Sequence, residues 1–109
     1  MANTFKLKTK ANVGVTTVGI YTAPAATTTV VIGITMANTS GSGVNVGVGI
    51  TRAGTTEDIK LLKTAPLPQG SSLEFMAGNK VVLEATDTLT VDSDTNNSVD
   101  AALTIMEIT

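Results

Sequence analysis

GSGVNVGVGI, residues 41–50, alternates two kinds of side chain. One set holds Val44, Val46, Val48 and Ile50, and the other holds Gly43, Asn45, Gly47 and Gly49. Because successive side chains of a strand point to opposite faces of a sheet, the stretch predicts a strand with one aliphatic face and one nearly bare face. Glycine inside a strand packs no side chain and loses extra backbone freedom on folding, so another group is expected to lie against the bare face.

The preceding stretch TVVIGITMAN, residues 29–38, predicts a second strand that forms a hairpin with the first. Directly opposed residues share a face, so the register must match apolar side chains to apolar side chains. Pairing Met36 with Val44 achieves this match. The aliphatic face of the second strand would then hold Val30, Ile32, Ile34 and Met36.

The same register places Gly33 opposite Gly47, with Gly49 nearby, and predicts a shallow backbone groove shared by two strands. Three explanations of this groove are open. Another segment of the same chain lies there, or the glycines let the sheet coil sharply. Alternatively, a neighbouring subunit packs its backbone on the three glycines, which makes them candidate interface residues. The third explanation is a β-bulge at Gly47 or Gly49.

Period-two patterns recur along the whole chain, and helical periodicity is nearly absent. Pro66 is expected to lie beyond the end of one strand, Pro68 and Gly70 mark a turn, and Gly78–Asn79 separates two further strands. The predicted strands cover residues 4–9, 15–22, 29–38, 43–52, 59–63, 72–76, 80–85, 88–92 and 99–109. Eight or nine short strands at this spacing are typical of an antiparallel all-β sandwich with jelly-roll-like connections, here as one domain over residues 1–109.

The composition argues against several classes of function. Of 109 residues, 15% are charged and the net charge is −2, so the basic surface that a nucleic-acid partner requires is not expected. There is no histidine and no cysteine, which removes the commonest general base, the commonest metal ligand and thiolate chemistry. The apolar runs are too short to span a membrane. We therefore predict a protein that is not an enzyme and has no cofactor, no nucleic-acid partner and no membrane contact.

The polar segment VDSDTNNSVD is the candidate metal site. It places Asp92, Asp94 and Asn96 at alternate positions, and Ca²⁺ prefers several oxygen ligands of this kind. The EF-hand pattern, however, requires glycine at its sixth place and glutamate at its twelfth, where this segment has Asn97 and Leu103. A solvated hairpin loop, in which Asn and Asp side chains support tight turns, is the alternative that we favour.

The first predicted strand has two contrasting faces. Lys6, Lys8 and Lys10 share one face, opposite Phe5 and Leu7. The lysines form a solvated face, guard a sheet edge against further pairing, or dock on an acidic protein surface. Phe5, Lys6, Leu7 and Lys8 are therefore candidate interface residues.

The last predicted strand is apolar on both faces near its end. Its two faces hold Val99, Ala101, Leu103 and Ile105 on one side, and Met106 and Ile108 on the other. Burial on both sides arises either from double coverage within the fold or from another subunit. Met106 and Ile108 are therefore further candidate interface residues.

Five segments share their pattern with a known class of protein. They are the opening MANTFKLKTKANVG, then IYTAPAATTTVVIGITMANTSG, then APLPQGSSLEF followed by NKVVLEATDTLTV, and the ending ALTIMEIT. Together they resemble small virion structural proteins, of the decoration type, from tailed marine bacteriophages such as cyanophages and pelagiphages. This resemblance implies a β-sandwich subunit that is present in many copies per virion and has no catalytic chemistry.

These observations lead to the hypothesis of a phage virion component that acts by protein–protein contact. We expect a capsid decoration or cement protein that is made in the host cytoplasm, is located in the virion and adds buried area across the joints between capsomers. Its expected partners are the major capsid protein and further copies of itself, with a trimer favoured. The alternatives are a neck, tail or fibre-attachment subunit and a surface- or glycan-binding adhesin module, although aromatic residues at 3% of the chain disfavour glycan binding.

Overall fold

The computed structural model describes residues 3–54, 57–75 and 81–109. Within these ranges the chain forms nine β-strands and no helix. The strands are β1 (Asn3–Val13), β2 (Val18–Thr22), β3 (Thr28–Asn38), β4 (Val44–Arg52), β5 (Glu57–Leu67), β6 (Ser72–Phe75), β7 (Val81–Leu83), β8 (Thr88–Ser93) and β9 (Val99–Ile108). Residues 76–80, which include the predicted turn at Gly78–Asn79, lie outside the described part of the chain.

The strands form two antiparallel sheets. The five-stranded sheet has the order β1-β9-β3-β6, and β7 also pairs with β3. The four-stranded sheet has the order β2-β8-β4-β5. Consecutive strands alternate between the sheets from β1 to β4 and again from β7 to β9, as they do in a jelly roll. The predicted antiparallel all-β sandwich with jelly-roll-like connections is therefore confirmed.

A hydrophobic core fills the space between the two sheets. β9 lies inside the five-stranded sheet, and every second residue from Val99 to Ile105 is buried, as predicted. From the opposite sheet, β4 contributes its whole aliphatic face, which runs from Val44 to Ile50. Burying an aliphatic side chain of this size stabilises the folded state by about 1.5–3 kcal/mol, so the two facing rows are a main source of stability.

The predicted hairpin between residues 29–38 and 43–52 is wrong. β3 pairs with β6, β7 and β9, whereas β4 pairs with β5 and β8 in the other sheet. The loop between them crosses from one sheet to the other. The Asn38 side-chain amide holds this loop by donating hydrogen bonds to the carbonyls of Ser42 at 2.8 Å and Leu67 at 2.9 Å. Alternation along a strand determines which of its faces is apolar, but it leaves open which strand lies beside it.

β3 changes face at a β-bulge. An extra residue, Ile32, lies between the pairs that Val31 and Gly33 form with β9. As a result Val31 and Ile34 are buried, and Val30, Ile32 and Gly33 lie on the outward face of the sheet. The predicted single aliphatic face of this strand is therefore wrong, because one inserted residue reverses the alternation.

β5 continues through Pro66, contrary to the prediction that the strand stops before this proline. β5 lies at the edge of the four-stranded sheet, where a missing N–H donor removes no hydrogen bond to a second neighbouring strand. Its pairing with β4 shifts register between Val46 and Val48, where Thr64 adopts a left-handed φ of 55°, and again between Val48 and Gly49. These irregularities bring backbone carbonyls of β5 over the bare face of β4.

Candidate interaction surface

β1 turns its large apolar side chains outward and its lysines toward the core side. In the register with β9, Lys6 lies opposite the buried Ile105, and Phe5 lies opposite Met106. Phe5 is 69% exposed and Leu7 is 65% exposed. The lysines therefore lie along the open edge of the sandwich instead of forming an outward solvated face. This placement fits the guarded-edge explanation, because inward-pointing charge on an edge strand discourages pairing with a further strand.

A row of apolar side chains crosses the outward face of the five-stranded sheet. Phe5 lies opposite Met106, which lies opposite Val30. Val30 in turn lies opposite Val82, which is 55% exposed, so the row continues over four strands. Single exposed apolar residues are ordinary, whereas a contiguous apolar patch marks an interaction site. We refer to this row and its two apolar neighbours as the apolar ridge, which consists of Phe5, Leu7, Val30, Val82, Met106 and Ile108.

Small side chains line the same face beside the ridge. They surround an open depression of about 280 Å³. A Cβ atom added to Gly33, which lines it, would meet no heavy atom within 4 Å, so the chain itself does not fill the space above this glycine. We refer to this depression as the furrow, which is lined by Ile32, Gly33, Ile34, Thr35, Glu74, Ala102 and Thr104.

The ridge has no charged side chain of its own, whereas the furrow is lined in part by Glu74. At its Val82 end, the ridge borders a second depression that Arg52, Glu84 and Asp87 also line. Docking on the rest of the ridge, at Phe5, Met106 and Val30, removes few ions from water, so the desolvation cost of contact there is small.

A hydrogen-bonded charged group lies on the inward side of the same strand. Glu107 lies between Met106 and Ile108, points toward the core side and accepts a hydrogen bond of 2.6 Å from the Tyr21 hydroxyl. The Lys6 Nζ lies 2.9 Å from its other carboxylate oxygen. The hydrogen bonds from Tyr21 and then Lys6 hold the pKa of Glu107 below its usual range. Burial, and then the hydrogen bond to Glu107, raises the pKa of Tyr21 to about 12.

Gly47 and Gly49 are covered by their own chain, in the sheet that does not contain Gly33. A Cβ atom on Gly49 would lie 2.8 Å from the Ile59 carbonyl oxygen, and one on Gly47 would lie 2.6 Å from a carboxylate oxygen of Asp92. The predicted groove shared with Gly33 is therefore wrong. The bare face of β4 is explained by the bulged strand β5 and by side chains of β8. A role for these two glycines in an interface between subunits stays a prediction.

The predicted metal ligands bond to the protein itself. Asp92 accepts a hydrogen bond from the Thr17 hydroxyl at 2.9 Å. Asp94 and Asn96 accept hydrogen bonds from backbone N–H groups at 3.1 and 3.3 Å, respectively. In the part of the chain that the structure describes, no three Asp, Glu, His or Cys side chains form a group suited to a metal ion. This geometry fits a solvated loop whose side chains support the turn.

The structure brings together about half of the predicted interface residues. The outward face of the five-stranded sheet holds Phe5, Leu7, Gly33, Met106 and Ile108. Lys6 and Lys8 lie on the inward side of β1. Sequence reasoning missed Val30, because the bulge in β3 is not visible in the alternation. It also missed Val82. Residues 81–83 (VVL) are apolar on both faces of the strand, and the same two-sided apolar pattern pointed to Met106.

The fold has counterparts among solved structures. A chain of Bacillus endospore appendages, described as disulfide-linked pili, superposes with a TM-score of 0.57 at 16% identity, over 99% of this chain and 87% of its own length. The T13 viral particle of IBDV matches with a TM-score of 0.58 at 14% identity, over 96% of this chain and 30% of the viral chain. Infectious bursal disease virus of the Gx strain matches with a TM-score of 0.59 at 10% identity, over 96% of this chain and 32% of the viral chain.

These likenesses concern the fold. The chain spans about a third of the length of the viral proteins that it matches. No family model and no curated protein matches the sequence. Among the residues with described positions, no helix is long and apolar enough to cross a membrane. The sandwich is thus a fold that also occurs in pilus and viral particle proteins.

Proposed function

We propose that this protein is a structural subunit of a phage particle and works as a capsid decoration or cement protein. The observation that carries the proposal is the apolar ridge, which is continuous over four strands and lies on a face where the ridge itself has no charge. Left in water, such a ridge is a liability, and on a particle it is buried against a protein neighbour. Each contact of this kind buries apolar area across the joint between two capsomers. This added burial is the physical role of a cement protein.

The opposite outward face supports a fixed orientation of the subunit. On the four-stranded sheet, Asp92 accepts a hydrogen bond from Thr17 and lies 3.7 Å from the Lys60 ammonium. These charged groups satisfy each other and favour contact with water. We propose that this face remains in solvent, while the five-stranded sheet and its edges make the protein contacts. The virion is then the location of the protein, after synthesis in the host cytoplasm.

A filament subunit is the second candidate. It is favoured by the match to the Bacillus endospore appendage, which covers nearly the whole of both chains. Those appendages are described as disulfide-linked, whereas these 109 residues contain no cysteine. A filament built from this sequence would therefore be held by non-covalent contacts alone. The trimer, the neck, tail or fibre location and the adhesin module stay predictions.

Electron microscopy with a gold-labelled antibody tests the proposal. The sample is a lysate of phage particles whose genome encodes the chain, and label at regular spacing over the heads is the expected result. The double variant Phe5→Ser with Val82→Ser, at two exposed ridge positions, is expected to fold but to leave the heads unlabelled. Heads without label in the wild-type lysate would contradict the proposal. Long filaments formed by the purified protein alone would favour the second candidate.

A further inference from the structure

We propose that the neighbour that covers the apolar ridge is a second copy of this chain, which packs ridge into furrow about a two-fold axis. This inference rests on the proposed function and names the first partner of the subunit. A closed two-fold contact buries the same patch on both copies, so the patch must be complementary to itself. The outward face of the five-stranded sheet meets this requirement in shape, in area and in charge.

Shape is the first argument. Met106, Thr104 and Ala102 occupy successive outward positions of β9, with the ridge at Met106 and the furrow at Thr104 and Ala102. A two-fold axis that crosses the strands near Thr104 reverses the strand direction in the second copy. It brings the Met106 of each copy over the Ala102 of the other, beside its Thr35, whereas Gly33 pairs with Thr104 and lies at the axis. Ala102 and Thr35 are small and line the furrow, so they leave room for a ridge side chain of the other copy.

Area is the second argument. β9 has 10 residues, and the outward face is four strands wide across the ridge. With strands about 4.8 Å apart and a rise of about 3.3 Å per residue, the flat contact covers about 600 Å² per copy and about 1,200 Å² in total. Specific and stable interfaces begin at about 1,200 Å² of total buried surface. The face is thus large enough for a dimer when it is covered completely.

Charge is the third argument. The chain has a net charge of −2, so two copies repel each other wherever their acidic surfaces meet. In the proposed arrangement, Asp100 lies toward the Ile108 end of the other copy, and Glu74 lies toward the Val82 of the other copy. No carboxylate then faces another carboxylate. An arrangement with the strands parallel would instead set ridge against ridge, place these carboxylates near their own counterparts and leave both furrows empty.

Sedimentation equilibrium of the purified protein is the first test. The wild-type chain is expected to have twice its mass of 11.1 kDa at micromolar concentration. Ala102→Leu fills the furrow position that lies under the Met106 of the other copy, on the outward face of the sheet, so the variant is expected to fold and to dissociate at least tenfold more readily. Gly41→Val is the control, because it adds an aliphatic side chain in the loop between β3 and β4, where its Cβ meets nothing within 4 Å. Equal dissociation constants for the two variants would overturn the proposal.

A single introduced cysteine tests the position of the axis. The sequence has no native cysteine, so Thr104→Cys is expected to give one crosslinked species, a dimer, with a short bismaleimide reagent, which spans the distance of about 10 Å between facing sheets. Thr90→Cys, on the outward face of the four-stranded sheet, is expected to stay uncrosslinked. A trimer without the Thr104 crosslink, or a monomer at every concentration, would overturn the inference. A monomer that still labels phage heads leaves the proposed function standing, whereas a crosslinked dimer that never labels a head overturns the function and keeps the inference.

Discussion

Gly49→Ala, compared with Gly33→Ala, tests how the bare face of β4 is covered. Both changes add a single methyl group to a glycine inside a strand. At Gly49 the added Cβ would lie 2.8 Å from the Ile59 carbonyl oxygen and 3.2 Å from the Thr90 hydroxyl oxygen. At Gly33 it would meet nothing within 4 Å. The two variants thus differ in the surroundings of the new atom and not in its chemistry.

The expected difference in the free energy of unfolding follows from these contacts. The carbonyl of Ile59 belongs to the backbone of β5, which has to shift for the new Cβ to fit, and overpacking of this kind costs about 1–3 kcal/mol. Replacing glycine by alanine where the backbone allows it stabilises by about 0.4–1 kcal/mol, because the unfolded chain has fewer states. We therefore expect Gly49→Ala to lose about 1–2 kcal/mol and Gly33→Ala to lose nothing or to gain up to about 1 kcal/mol.

Urea denaturation followed by circular dichroism measures both values. For a chain of this size, about 1 kcal/mol corresponds to about 4–8 °C in Tm, so thermal unfolding is expected to separate the two variants by about 10 °C. The measurements are made at several protein concentrations, because self-association adds to apparent stability. If Gly49→Ala is as stable as Gly33→Ala, the β5 backbone does not lie over β4 as described, and the face is covered in another way.

Three further predictions address the core, the buried hydrogen bonds and the loop after β8. Leu103→Ala, at a fully buried position, is expected to lower the free energy of unfolding by about 2–5 kcal/mol, and Leu7→Ala, at a position that is 65% exposed, by less than about 0.5 kcal/mol; equal losses in urea titrations would contradict the assignment of the faces. Because the pKa of Tyr21 is raised to about 12, its contribution to stability is present below about pH 10 and is lost as the pH rises toward 12. The lowered pKa of Glu107 gives the opposite dependence, with a contribution present at neutral pH and lost as the pH falls through its folded-state value. Tyr21→Phe is therefore expected to flatten the pH dependence of Tm at both ends, and a constant offset from the wild type between pH 3 and about pH 12 would argue against this account. Millimolar Ca²⁺ is expected to leave Tm unchanged, since the side-chain oxygens of Asp94 and Asn96 already accept hydrogen bonds from the protein. A rise of several degrees that a chelator reverses would support a metal site in this loop.

The candidate surface was partly predictable from the sequence. Met106 and Ile108 were found because β9 is apolar on both faces near its end, a pattern that a half-solvated strand does not show. Phe5 and Leu7 were found as one face of an alternating strand. For the lysines of β1 the sequence left a solvated face, a guarded edge and a docking surface open, and the structure turns them toward the core side of the edge strand. Alternation defines two faces, and charge alone does not decide which face is inward on an edge strand that extends past the core.

The sequence by itself determined the class of fold, the identity of the strands and the inward rows of β4 and β9. The alternation of apolar and polar residues is a local property, because it depends only on residues that are adjacent along the chain. Only the tertiary structure decided that β3 and β4 belong to different sheets, that Ile32 reverses the face of β3, and that Val82 joins the row of Phe5. Strand partners and bulges depend on contacts between residues far apart in sequence. Many pairings satisfy the same alternation, and packing of the whole core selects among them.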